Sequence, residues 1–235
     1  RFEDYCVNGL QVPGALEVTK LASGVSAHAE LFERAAAEGA DLLLVHHGLF
    51  WGPGVASVDD VLRRRLQLLF DANIALAAYH LPLDAHPELG NNALLARALD
   101  ARDPVPFALH RGVPIGTLAR LPGAGLTTAE LTERVTDACG RAPLLIDAGP
   151  ERVRSLAIVS GAGADHLQEA AAAGADALLT GEAEERSMAL ARECGVHLIA
   201  AGHHATETLG IHALGEHVAV RFGLPHVFLD VRNPV

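Results

Sequence analysis

A chain of 235 residues, half of them hydrophobic, with a mean hydropathy of +0.23, buries a substantial core without disulfide or metal staples. That excludes a mini-protein and predicts one large domain or two packed halves. The formal charge of −11, with 29 acidic against 18 basic side chains and Lys20 the single lysine, argues against nucleic acid and anionic lipid as partners, because both require a cationic surface.

In chain order, Asn8-Gly9-Leu10 reads as a turn. Ala29 to Glu38 reads as a helix and Asp41 to Val45 as a buried strand that runs out into His46-His47-Gly48. Asp59 to Ala72 is a second helix and Ile74 to Ala78 a second strand. Further on, Val113 to Leu121 and Val153 to Val159 read as strands. Between them, Thr127-Thr128-Ala129-Glu130 has capping-box spacing at the head of a helix that ends near Cys139, where Gly140 supplies the stop. Strands alternating with alanine-rich helices predict an α/β protein.

The sequence also resembles itself. Ala35-Ala36-Ala37-Glu38-Gly39-Ala40-Asp41-Leu42-Leu43-Leu44 aligns without gaps on Ala170 to Leu179, with eight of ten positions identical. Later, Ala78-Tyr79-His80-Leu81-Pro82-Leu83-Asp84 matches Ala201-Gly202-His203-His204-Ala205-Thr206-Glu207, both reading His-x-x-x-carboxylate after an apolar strand. The offset falls from 135 to 123 between the two matches, which places about twelve extra residues in the first half, in the Leu49 to Asp60 loop. The expectation is two similar α/β halves, residues 1–104 and 105–235, joined near 101 to 112, with the metal site between them and the C-terminal segment packing back on the first half.

The chemistry-bearing residues lie at the strand ends, where ligand sites of open α/β folds collect. Adjacent strand residues face opposite ways, so His46 and His47 serve one metal only if the chain turns there; otherwise they serve different metals, or one is structural and the other exposed. His80 with Asp84, and His203 with Glu207, are four residues apart, which sets imidazole and carboxylate on one face of a helical turn. Four imidazoles and two carboxylates exceed the needs of one tetrahedral ion and suit two ions with bridging groups. Such nitrogen and oxygen donors fit zinc, iron, manganese, cobalt or nickel. Two divalent ions of this kind equip a hydrolase, with His204 and Glu182 as candidate proton-transfer residues. P-loop, nucleophile-elbow and dinucleotide-fold motifs are absent from the sequence.

Cys6, Cys139 and Cys194 are odd in number and widely spaced, which signals neither a disulfide framework nor a thiolate site and predicts the cytoplasm. The most hydrophobic stretch is broken by Asp71, Tyr79, His80 and Pro82, so no membrane span is expected. Arg1 heads the sequence and Met188 is its single methionine, so the natural start is expected upstream.

Asp4-Tyr5-Cys6-Val7-Asn8-Gly9-Leu10-Gln11-Val12, Val45-His46-His47-Gly48-Leu49-Phe50-Trp51, His80-Leu81-Pro82-Leu83-Asp84-Ala85-His86, Thr180-Gly181-Glu182 and Gly202-His203-His204-Ala205-Thr206-Glu207 occur in that order. In these segments the chain resembles the Nif-three-like family of dinuclear metal centre proteins, the GTP cyclohydrolase I type 2 homologues. The resemblance implies that His46, His47, Asp84, His203 and Glu207 are metal ligands, with His80 also reaching the site. It further implies two α/β halves with the metals between them, ring-shaped homohexamers, and hydrolytic opening of the GTP imidazole ring with loss of formate. The expected function is therefore metal-dependent hydrolysis of a purine nucleotide or related small molecule. The alternative is a metal-binding regulatory or scaffold protein without turnover.

Overall fold

The computed structural model describes residues 2–52 and 57–235, so part of the expected Leu49 to Asp60 insertion lies outside the described residues. The chain forms two compact units, one of residues up to Leu83 with Gly210–Val231, the other of Asp84–Leu209 with Arg232–Val235. Elements are numbered in chain order.

In the first unit, β1 (Gly9–Val12), β2 (Leu21–Ser26), β3 (Leu42–His47), β4 (Ala75–Ala78) and β11 (His226–Phe228) form a sheet ordered β1-β4-β3-β2-β11. β11, β2, β3 and β4 run parallel, and β1 lies antiparallel to β4. The crossovers are α1 (Ala29–Ala37) and α2 (Asp60–Asp71). Strand alternation divides the apolar side chains between two faces. Leu43, Val45 and Leu76 pack with Phe32 and Leu69 on one face, and Leu44 and Ala77 pack with Ile211 on the other. A parallel sheet covered on both faces accounts for the nearly continuous apolar run Leu42–Val45.

The second unit orders its sheet β5-β6-β8-β9-β10-β7, from β5 (Arg102–His110), β6 (Val113–Arg120), β7 (Leu144–Ile146), β8 (Ser155–Val159), β9 (Ala177–Thr180) and β10 (His197–Ala200). β8, β9 and β10 are parallel, and β7 is antiparallel to β10. Three parallel strands with an antiparallel neighbour on the last is thus an order that both sheets contain. Its helices include α4 (Asn91–Ala98), α5 (Thr128–Cys139), α6 (Leu167–Ala172) and α7 (Ser187–Cys194). A four-residue helix, α3 (Leu81–Asp84), precedes α4, and the long α8 (His203–Phe222) follows β10. The capping box at Thr127 and Glu130 forms, and Gly140 ends α5 in the left-handed conformation at φ 66°.

The two Gly-Ala-Asp segments carry out the same local task. Asp41 Oδ2 accepts the amides of Thr19 and Lys20 at the entry to β2, and Asp176 Oδ2 accepts those of Arg154 and Ser155 at the entry to β8. Each carboxylate ties its own strand to its neighbour's first residues.

The expected join at 101 to 112 is instead the edge strand β5, which among the described residues pairs with β6 alone. Pro104 and Pro106 lack an N–H, which an edge strand tolerates. The compact units divide at Leu83 and Asp84 rather than at residue 104. The physical reason is α4, whose Leu95 and Ala96 are buried with Leu131 and Leu156 of the second unit. Among the described residues, no helix is long and apolar enough to cross a membrane.

Candidate metal centre

The carboxyl ends of the parallel strands carry the candidate donors. In the first unit, β3 ends in His46 and His47, and β4 leads through Tyr79 to His80. β3 extends to His47, which pairs with Ser26 of β2, yet the two adjacent imidazoles converge, with ring centroids 4.7 Å apart. His80 lies 5.0 Å from His46 and 5.5 Å from His47 by the same measure. One ring nitrogen from each of the three residues falls within 4.8 Å of the others, close enough for one ion.

Each ring is oriented from its Nδ1 side. His46 Nδ1 lies 2.9 Å from the carbonyl oxygen of Tyr79, His47 Nδ1 lies 3.0 Å from Ser26 Oγ, and His80 Nδ1 lies 2.7 Å from Asp4 Oδ1. A carbonyl or carboxylate oxygen only accepts, so His46 and His80 donate from Nδ1, and Nε2 is the nitrogen each would offer to a metal. This is the usual outer hydrogen bond of a metal-bound histidine. The serine hydroxyl leaves the tautomer of His47 open.

Asp4 is the anchor of this arrangement. Its carboxylate also accepts the Asn8 side-chain amide and the backbone amides of Cys6 and Leu81. Burial opposes its ionisation, but the hydrogen bonds from His80, Asn8 and Cys6 and the attraction to His80 outweigh it, holding the carboxyl well below the usual carboxylate range. Asn8 Oδ1 accepts the His80 amide at 2.8 Å, so Asn8 positions backbone. Gln11 Oε1 accepts the Leu49 amide at 2.7 Å, which fixes the chain just beyond the histidines.

In the second unit, Asp84 is buried, and its Oδ1 accepts from Asn91 Nδ2 at 2.8 Å and Ser160 Oγ at 3.0 Å. α8 opens on His203, whose Nε2 lies 3.2 Å from Glu207 Oε1, as the four-residue spacing predicts. The short contact from His203 Nδ1 goes to Glu182 Oε1, which makes Glu182 an orienting carboxylate for that ring. Burial opposes protonation of His203, but Glu207 and Glu182 outweigh it and push its pKa up to about 9. Gly161, at φ +66°, leaves room for this pair, since a Cβ there would strike the Glu207 carboxylate and the His203 ring. His204 is buried, and its amide donates to the Val235 carbonyl.

The donor chemistry fits first-row divalent ions. The donors are nitrogen and oxygen only, the four imidazoles each have an oxygen partner at Nδ1, a carboxylate for His80 and His203, and Asp84 and Glu207 are carboxylates of the buried kind that pair or bind metal. Sequence spacing misses Asp4, Ser26 and Ser160, which meet their histidine or carboxylate partners only through the tertiary fold.

A family model described as Duf34/NIF3 (NGG1p interacting factor 3) matches residues 1–234. A Pseudomonas aeruginosa protein named GTP cyclohydrolase 1 type 2 homolog is 44% identical, covering 100% of this chain and 92% of its own. An Allochromatium vinosum protein of the same name is 45% identical, covering 100% and 91%. Among solved structures, protein ybgI, described as of unknown function, superposes with a TM-score of 0.93 at 40% identity, covering 100% of this chain and 93% of its own. TTHA1606 from Thermus thermophilus gives 0.90 at 39% identity, covering 99% and 92%.

Proposed function

The chain belongs to the Duf34/NIF3 family, and from that premise we propose that it is a dinuclear metal-dependent hydrolase acting on a purine nucleotide or a related small molecule. Its relatives carry the name GTP cyclohydrolase 1 type 2 homolog, and its own His, Asp and Glu clusters could hold metal ions. The observation that carries the reading is the orientation of His46, His47 and His80, each held at Nδ1 by an oxygen and grouped within reach of one ion.

In this reading His46, His47 and His80 would supply imidazole donors, and Asp84, His203 and Glu207 would supply the rest. The chemistry that two divalent ions provide when bound is acidification of water and polarisation of a substrate oxygen or nitrogen. Asp4 and Tyr79 fix the proton of His80 and of His46 at Nδ1, so that these rings do not rotate away from their task. Glu182 holds the Nδ1 side of His203. Glu182 or His204 would take the proton that the attacking water loses and give it to the leaving group. A homohexamer belongs to the same proposal, and the solution mass tests it.

The test is elemental analysis of the purified protein beside His46→Ala and Glu207→Ala, followed by GTP turnover on the same samples. Two ions per chain, fewer in both variants, and formate release that needs the metal are the expected results. Two ions with no turnover on any nucleotide or phosphoester would leave a metal-binding regulatory or scaffold protein, and no metal at all would overturn the proposal.

A further inference from the structure

Aromatic side chains are scarce in this sequence, with a single tryptophan and two tyrosines beside seven phenylalanines. The tryptophan ring sits at the histidine cluster of the first unit, and the two tyrosines lie on backbone tied to it. Tyr79 supplies the carbonyl that holds His46, and Tyr5 supplies the carbonyl that accepts the Gly52 amide at 2.6 Å. Trp51 lies edge-on to His80, with ring centroids 5.1 Å apart, and 5.8 Å from His47.

Burial would be the ordinary fate of such rings, yet Trp51 remains 43% exposed, Tyr5 53% and Tyr79 38%. Trp51 is nonetheless well fixed. Its indole N–H donates to the Gly48 carbonyl at 2.8 Å, and its backbone bridges Cys6. Gln11 in turn braces the chain between Gly48 and Trp51 through the amides of Leu49 and Phe50. A rigid, half-exposed indole beside three imidazoles loses little entropy on receiving a flat ligand.

We propose that Trp51 is a stacking platform that binds the planar heteroaromatic ring of the substrate beside the histidine cluster. The inference rests on the hydrolase reading and narrows it, because it selects nucleobase-like substrates over phosphoesters that lack an aromatic ring.

The single tryptophan makes the test direct. Metal-loaded protein is titrated with guanosine and, separately, with ribose 5-phosphate, while tryptophan emission is followed; equilibrium dialysis measures guanosine binding to the wild type, Trp51→Phe and Trp51→Leu. Saturable quenching by guanosine alone is expected. Trp51→Phe should bind within about threefold of wild type and Trp51→Leu roughly tenfold or more weakly, the scale of a lost base–aromatic stack, with metal content and solution mass unchanged in both. Unchanged emission with guanosine, wild-type binding by Trp51→Leu, or a changed solution mass in Trp51→Leu, which would make this face a contact between copies, overturns the inference. The two readings fail separately. Metal-dependent turnover of a non-aromatic phosphoester without any guanosine response sinks this one alone, whereas a wild type that takes up no metal sinks the hydrolase reading, and quenching can still be followed in that protein.

Discussion

A histidine binds a metal well when its far nitrogen is held, and Asp4 does this for His80 from a side chain that is only 3% exposed. Replacing it with asparagine keeps the shape but removes the charge that fixes the Nδ1 proton. Asp4→Asn is expected to weaken metal binding by about 10- to 100-fold, measured by competition with a chelator, while the far-ultraviolet circular dichroism stays that of wild type. The same substitution has a pH signature. Because the folded protein holds the Asp4 carboxyl below its ordinary range, its contribution to stability is present above about pH 4 and is lost as pH falls toward the depressed value. Urea midpoints at pH 7 and pH 3 should therefore fall less steeply for Asp4→Asn than for wild type; parallel loss would show that the carboxylate is not held as described. Spacing alone suggests the pairing of His203 with Glu207, because four residues on a helix is a local rule. It is blind to Asp4 on His80 and to Ser160 on Asp84, each separated from its partner by 76 residues.

At the scale of elements, legibility follows length and local chemistry. The helix at 29 to 38, the capped helix after Thr127 and the strands at 113 to 121 and 153 to 159 carry periodicity or end signals of their own, and each forms within a residue or two of its expected bounds. β7 and β11 are three residues long, too short for any period to show, and exist because a neighbouring strand supplies their hydrogen bonds. β5 is hidden by Pro104 and Pro106, and by backbone at φ 52° in Asp103 and 59° in Ala108. The turn after β8 shows how an element serves the site. Gly161 adopts φ +66°, and its amide and carbonyl are tied to Thr206 and Thr180. An alanine there meets both a backbone penalty and the His203–Glu207 pair. Gly161→Ala is expected to cost at least about 1 kcal/mol of stability, read from urea unfolding, and to lower metal content as Glu207 is displaced. Full metal content in a destabilised variant would mean that the turn supports the fold alone.

For the whole molecule, the charge of −11 includes buried carboxylates, Asp84 and Glu207 among them. A buried carboxylate needs a cation or hydrogen-bond donors. For Glu207, part of that need is met by a proton on His203, whose pKa is pushed up to about 9. A metal at the same imidazole must displace that proton, so uptake releases protons and affinity rises with pH across the neutral range. Stability follows the same linkage. Free metal at a hundredfold excess over Kd adds about 2.7 kcal/mol to the folded state, which for a chain of this size is roughly 5 to 10 °C in Tm. Calorimetry of chelator-treated protein, with and without a fixed zinc or manganese concentration, should therefore show a metal-induced rise in Tm that is larger at pH 8 than at pH 6. Proton release into weak buffer on metal addition should accompany it. A rise of equal size at both pH values would refute displacement of the His203 proton, and no rise at either would remove the metal from the account of this protein altogether.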